Sequence, residues 1–156
     1  MTDEPASTRT SRIIGATREA LYQAFLDPVA LIAWLPPGEM TGEIHAFDAR
    51  VGGGYRMSLY YPPDEKDFRG KTSEKEDRLA VRYVELDPPR RIVEAVNFDS
   101  SDPACLGEMR LVVTFEQAAG GTEVTMLFEN LPPGLRPQDN EAGSRLSLEQ
   151  LARHFE

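Results

Sequence analysis

An alternating apolar and polar pattern on both sides of a Gly-Gly pair marks residues 108–130, which read EMRLVVTFEQAAGGTEVTMLFEN. Successive side chains of a strand point to opposite faces, so Met109, Leu111 and Val113 share one face of the first half. Gly120-Gly121 is suited to a tight hairpin turn. The second half places three more apolar residues on the same face: Val124, Met126 and Phe128. The stretch therefore predicts a β-hairpin with one apolar face.

The chain before this hairpin has the same period of two, interrupted by Gly, Pro and Asp at the turns. We predict strands at Gly42 to Ala49, Tyr55 to Tyr61, Arg78 to Asp87 and Arg91 to Phe98. The segment from Pro62 to Asp77 is densely charged, so we expect a solvated loop there. Together these segments indicate an antiparallel meander.

Helical spacing appears near the start of the chain. A strand from Thr8 to Ile14 should precede a helix that is capped by Thr17 and ends before Pro28. Pro28 suits the first turn of a second short helix, which carries Trp34 near its end. We therefore expect two short helices between the first strand and the meander.

A long helix is predicted at the other end of the chain. Leu148, Leu151 and Phe155 recur three and four residues apart, and either Asp139 or Asn140 is suited to be the N-cap. A large sheet with one long helix must cover its apolar face with that helix. The pattern predicts an α+β helix-grip fold, in which a curved antiparallel sheet of about six or seven strands wraps around the C-terminal helix. We expect one domain over residues 8–156, after a disordered tail at residues 1–7.

Composition limits the possible partners. The 156 residues carry a net charge of -9, which would repel a nucleic-acid backbone. No stretch approaches the roughly 20 apolar residues of a membrane span, and no signal core is present, so we expect a cytoplasmic protein. The single cysteine, Cys105, is interpreted as a free buried thiol.

Several motifs resemble a known superfamily. The run GGGYR at residues 52–56 is similar to the Gly-Gly turn of START-like (SRPBCC) proteins, and YVELDPPRRIV at residues 83–93 resembles one bacterial branch of them. That branch is similar to the C-terminal domain of the activator of the heat-shock chaperone ATPase. The run ATREALYQAF at residues 16–25 resembles the family's opening, and Trp34 its second-helix tryptophan. The resemblance extends from Ala6 to the C-terminus.

The sequence departs from this branch at two places. Members usually begin the final helix with a Gly-Trp pair, whereas Gly143 is followed here by Ser144, so a wider cavity is expected at that point. The charged insertion from Pro62 to Asp77 is also longer than in the branch, which affects the expected cavity entrance.

The resemblance and the Met-rich inner face together predict a cavity for a small hydrophobic or aromatic molecule, lipid-like or polyketide-like. Two alternatives stay open: a cyclase or hydrolase that uses the same cavity, and, from the resemblance alone, a co-chaperone that acts on a chaperone ATPase in the stress response. The predicted ligand-contacting residues are Trp34, Tyr55, Met57, Leu59, Tyr83, Phe98, Met109, Leu111, Val113, Met126, Phe128, Ser144, Leu148, Leu151 and Phe155.

Two of the inner residues have competing interpretations. Trp34 is either a lid over the cavity or a cap on the core whose ring N–H finds a carbonyl. Glu94 either points inward as an acid or base, or lies on the outer face of an edge-like strand, and the second interpretation is favoured because Val93 and Ala95 offer another apolar face. No metal-ligand spacing, nucleophile elbow or phosphate loop is present, so no cofactor, metal or catalytic residue is expected.

Overall fold

The computed structural model describes residues 6–62 and 76–156. Seven strands and three helices follow one another along this part of the chain. They are β1 (Ala6–Ile14), α1 (Arg18–Ala24), α2 (Pro28–Trp34), β2 (Thr41–Asp48), β3 (Gly54–Tyr60), β4 (Glu76–Asp87), β5 (Arg91–Asp99), β6 (Met109–Ala118), β7 (Gly121–Leu131) and α3 (Pro137–His154), with a short 3-10 turn at Pro103–Cys105.

The seven strands form one antiparallel sheet in the order β1-β7-β6-β5-β4-β3-β2. Strands β2 to β7 are neighbours in chain order, as expected for a meander, and β1 returns to pair with β7. Residues 108–130 form the predicted hairpin, in which Val113 lies opposite Met126. The helix-grip prediction of a curved sheet and a long C-terminal helix is confirmed.

Two boundaries differ from the predictions. Ala6 and Ser7 belong to β1 rather than to a tail, and residues 1–5 lie outside the described part of the chain. Glu76 and Asp77 belong to β4 rather than to the predicted loop, of which residues 63–75 lie outside the described residues. Asp77 is only 3% exposed, so a solvated position is wrong for this residue.

Local side-chain chemistry explains where the short helices begin. The Thr17 hydroxyl accepts a 3.1 Å hydrogen bond from the Ala20 N–H, as predicted for the N-cap of α1. Asp27 caps α2 in the same way through the Val29 N–H at 2.9 Å, and Pro28 occupies the first turn. These caps fix the corner between the two helices.

The start of α3 differs from the prediction. Its N-cap is Arg136, which makes no side-chain capping bond, and Pro137 occupies the first turn. The fixed backbone angle of proline suits a first helical position, so the helix begins before Asp139 and Asn140. Asp139 lies within the first turn, where a carboxylate interacts favourably with the helix dipole.

The long helix α3 does not cover the whole sheet evenly. Its backbone approaches β1, β7 and α2 most closely. Its own apolar side chains, Leu148 and Leu151, face the sheet side and are fully buried. Part of the inner face of the sheet is therefore left to border an interior space.

Candidate functional site

A cavity of about 1310 Å³ lies between the sheet, the α2–β2 connection, the 3-10 turn and α3. The sheet contributes most of its apolar wall, from Leu79, Val81 and Val96 in the middle strands. Leu35 closes it on the α2 side, and Leu135 closes it just before α3. As far as residues 6–62 and 76–156 are concerned, the interior is therefore an open space rather than a filled core.

Several of the residues predicted to contact a ligand line this cavity. All but one of them come from the sheet, since β3, β5, β6 and β7 turn alternate side chains inward. These lining residues are Tyr55, Leu59, Phe98, Met109, Leu111, Met126, Phe128 and Ser144. Ser144 lies on α3 at the position where the resemblance had suggested extra room.

The other predicted residues belong to the packed core outside the cavity lining. Their side chains are buried or half-buried among the helices and the sheet. They are Trp34, Met57, Tyr83, Val113, Leu148, Leu151 and Phe155. Binary patterning identified the inner face correctly but did not distinguish the part of it that packs from the part that stays open.

Trp34 is the clearest example of such a core residue. Its side chain is 0% exposed, its ring lies 4.6 Å from that of Phe25, and its Nε1–H donates a 3.0 Å hydrogen bond to the Ala24 carbonyl. An indole that is satisfied and enclosed in this way cannot act as a lid. The interpretation as a core cap is the one the structure supports.

The favoured interpretation of Glu94 was wrong. Strand β5 lies between β4 and β6, so it is not an edge strand, and the Glu94 side chain is 2% exposed and lines the cavity. Val93 and Ala95 on the opposite face are buried as well. Both faces of β5 are thus covered, and the alternation of apolar residues did not indicate which face was the inner one.

Burial dominates the electrostatics around Glu94. Loss of hydration raises the pKa of its carboxyl from 4.5 to about 8, and a side-chain hydrogen bond with Tyr55 partly opposes this shift. Burial also raises the pKa of Tyr55 well above its usual value, with a further contribution from Glu94. At neutral pH the cavity therefore contains a carboxyl group that is mostly protonated.

The fold agrees with the outcome of comparisons with known proteins. The family model described as Activator of Hsp90 ATPase homolog 1-like protein (AHSA1) matches residues 15–156. The chain belongs to this family. Its members include ligand-binding proteins and proteins resembling activators of the chaperone ATPase. No curated protein matches the chain.

Solved structures of bacterial proteins share the fold. A Chromobacterium violaceum protein is 31% identical, with a TM-score of 0.83 and coverage of 95% of both chains. A Rhodobacter sphaeroides protein is 21% identical, with a TM-score of 0.73 over 96% of this chain and 91% of that chain. An AHSA1-like protein from Aeromonas hydrophila is 18% identical, with a TM-score of 0.70 over 96% of this chain and 91% of that chain.

Polar groups of this AHSA1-like domain border the cavity near Asp77 and α3. The Tyr61 hydroxyl donates a 2.9 Å hydrogen bond to the buried Asp77 carboxylate. Burial and this carboxylate raise the pKa of Tyr61. On α3, the Ser144 hydroxyl donates a 2.8 Å bond to the Asn140 carbonyl, and the Asn140 side chain is hydrogen-bonded to Thr8 of β1. Sequence reasoning missed Asp77 because the charged residues before it resemble a loop.

The chain also places a serine beside a histidine, away from the cavity. His45 Nε2 lies 2.8 Å from Ser58 Oγ, while its Nδ1 is 3.9 Å from Glu43. Ser58 donates a 2.6 Å hydrogen bond to Glu76 and is 0% exposed. A hydroxyl that is enclosed and already bonded cannot reach a substrate, so this arrangement is structural.

Two features of the described residues bear on other classes of function. Among residues 6–62 and 76–156, no group of three or more His, Cys, Asp or Glu side chains is arranged to hold a metal ion. None of the helices in the same part of the chain combines the length and the apolar character that crossing a membrane requires.

Proposed function

We propose that this AHSA1-like protein binds a small hydrophobic or aromatic molecule in the cavity between the sheet and α3. The observation that carries the proposal is the cavity itself, whose volume of about 1310 Å³ exceeds that of most drug-sized sites. Proteins rarely keep so large an interior space without a guest, because an empty apolar space forfeits packing contacts.

The chemistry of the wall supports the same proposal. Met109 and Met126 offer flexible, polarisable side chains that adapt to ligands of irregular shape. Phe98 and Phe128 add aromatic surface at the same wall. Glu94 and Tyr55 supply a small number of polar groups among these apolar ones, which is the usual composition of a site that orients a ligand.

Fluorescence titration with Nile red, a neutral apolar dye, tests the proposal. We expect saturable binding with a blue-shifted emission, because the dye would enter an apolar space. Replacing Ser144 with Trp should lower the affinity at least about tenfold, since the indole would occupy the cavity. Arg145→Trp, on the exposed side of the same helix, is the matched control and should leave the affinity unchanged.

The opposite results would remove the proposal. They are the absence of saturable dye binding, or equal affinities in the wild type and Ser144→Trp when circular dichroism shows both to be folded. Intrinsic emission from Trp34 is not a substitute for the dye, because that side chain does not line the cavity.

A second candidate, stimulation of a heat-shock chaperone ATPase, is favoured by the family match over residues 15–156. Such an activity would use the surface of the domain, so the Ser144→Trp variant should retain it. The measurement is the steady-state ATPase rate of a bacterial Hsp90-type chaperone with excess protein. An unchanged rate would remove this candidate without affecting ligand binding.

A further inference from the structure

Glu94 is a buried acid that has no cationic partner within the described protein. None of the ion pairs among residues 6–62 and 76–156 includes it. Its cross-strand neighbours are Tyr83 of β4 and Leu111 of β6. A buried carboxylate without a counter-charge is costly, so the protein alone does not favour the ionised form.

The other groups around this acid do not supply a charge of the opposite sign. Tyr55 of β3 and Tyr83 of β4 both interact electrostatically with Glu94, and neither can become a cation. The turn before β6 adds Cys105 to the cavity lining, and α3 adds Ser144 and Ser147, none of which is a cation.

The charged residues of the cavity lining are predominantly acidic. The only cationic lining side chain among the described residues is Arg136, which lies 4.0 Å from Asp139. The acidic lining residues are Glu39, Asp77, Glu94, Asp102 and Asp139. A ligand with a carboxylate would meet repulsion along this lining, whereas a cation would be attracted.

Aromatic rings next to Glu94 add a second attraction for a cation. The ring of Tyr55 lines the cavity, stacks on Phe47 with centroids 5.6 Å apart, and lies 6.1 Å from the ring of Tyr83. The face of an aromatic ring attracts ammonium groups, and a carboxylate attracts them by its opposite charge. An acid and an aromatic ring thus meet at one point of the cavity wall.

We infer that the ligand is a hydrophobic amine, whose ammonium group pairs with the Glu94 carboxylate beside the ring of Tyr55. This inference rests on the proposed binding function and names the class of ligand. The apolar part of the molecule would lie against Met109, Met126 and Phe128. The amine supplies the counter-charge that Glu94 lacks in the described protein.

Binding of an amine should change the number of protons that the protein holds, and this change is measurable. The pKa of about 8 means that Glu94 is mostly protonated in the free protein near neutral pH. An adjacent ammonium group favours the ionised carboxylate. Binding should therefore release close to one proton from Glu94 to the solvent, while the amine keeps its own.

Three naphthalene probes of similar size test the inference: 1-naphthylmethylamine, 1-naphthalenemethanol and 1-naphthoic acid. We expect the amine to bind at least about tenfold more tightly than the alcohol, and the acid to bind more weakly than either. Calorimetry near pH 6.5, in buffers of different ionisation enthalpy, should show close to one proton released with the amine and none with the alcohol.

Glu94→Gln should remove the preference for the amine over the alcohol and abolish the proton release. Glu116→Gln, the same substitution at an exposed position on β6, is the control. It should keep the preference for the amine and the proton release. The proton release of the wild type tests the inference even where Glu94→Gln does not fold.

The outcomes separate this inference from the function on which it rests. If the alcohol binds and the amine binds no more tightly, or if the preference survives in Glu94→Gln, the amine inference is wrong while the binding function stands. Tightest binding by the acid would overturn it in the same way. If no probe binds and Nile red does not bind either, both fail.

Discussion

Ser147 in the middle of α3 donates a 2.6 Å hydrogen bond to the main-chain carbonyl of Leu35, at the end of α2. Three residues further along α3, the Gln150 amide donates to the carbonyls of Trp34 and Pro36 at 2.8 and 2.7 Å. The Gly38 N–H donates a 2.9 Å bond back to the Gln150 side chain. These bonds fix the α2–β2 connection, which forms one wall of the cavity, to α3.

Removal of the Ser147 hydroxyl should destabilise the fold, because the Leu35 carbonyl would lose this buried side-chain partner. For Ser147→Ala we expect the free energy of unfolding to fall by about 1 to 3 kcal/mol, measured by urea denaturation. The matched control is Ser144→Ala, whose hydroxyl bonds only to Asn140 in its own helix and should cost less than about 0.5 kcal/mol. Equal losses would mean that the bond to Leu35 does not hold the two helices together.

Gly54 begins β3 and sets the position of Tyr55. A Cβ atom added to Gly54 would lie 1.8 Å from the Val81 carbonyl oxygen, a backbone atom that cannot move aside. Gly54→Ala should therefore shift strand β3 or prevent folding, with a loss above about 3 kcal/mol. At Gly52, with φ of +86°, an added Cβ meets nothing within 4 Å, so Gly52→Ala should cost only about 1 kcal/mol of backbone strain. Thermal unfolding measures the loss of stability in each of the two variants. Similar melting temperatures for Gly54→Ala and Gly52→Ala would contradict the contact with the Val81 carbonyl.

Local patterns predicted the elements of this fold because their causes are local. The alternation in residues 108–130 required a hairpin, and the cap residue Thr17 and the first-turn Pro28 marked helix starts that the structure reproduces. The start of α3 was misplaced because Asp139 or Asn140 was predicted to be the cap, whereas Pro137 already occupies the first turn. Turns and helix caps depend on residues that are adjacent in the sequence, so a single sequence is enough to predict most of these features.

The site was harder to predict because it depends on which elements meet. Glu94 and Val93 are neighbours with apolar residues on both sides, and only the place of β5 in the middle of the sheet makes both faces buried. Trp34 and Met126 both read as inner residues, yet one packs against Phe25 and the other borders open space. That distinction depends on how the helices and the sheet meet in three dimensions, which no local pattern encodes.

The buried acid should make the stability of the protein depend on pH with a defined sign. The pKa of Glu94 is raised from 4.5 to about 8 in the folded protein, mainly by burial. Between these two values the folded state holds a proton that the unfolded chain has lost, so the free energy of unfolding contributed by this group falls as the pH rises. The free energy of unfolding contributed by Glu94 falls by at most about 1.4 kcal/mol per pH unit. It is constant below the unfolded pKa and above the folded pKa.

Glu94→Gln removes this titration and keeps a side chain of nearly the same shape. Relative to the wild type, the variant should therefore gain stability steadily as the pH rises from about 5 to about 8, because only the wild type must keep a proton on folding that its unfolded chain has already released. Urea denaturation at each pH measures the difference, and Glu116→Gln, which is exposed, should follow the wild type throughout. A difference between Glu94→Gln and the wild type that stays constant across this range would show that Glu94 does not hold its proton in the folded protein. In that case the carboxyl would already be ionised before any amine arrives, and amine binding would release no proton.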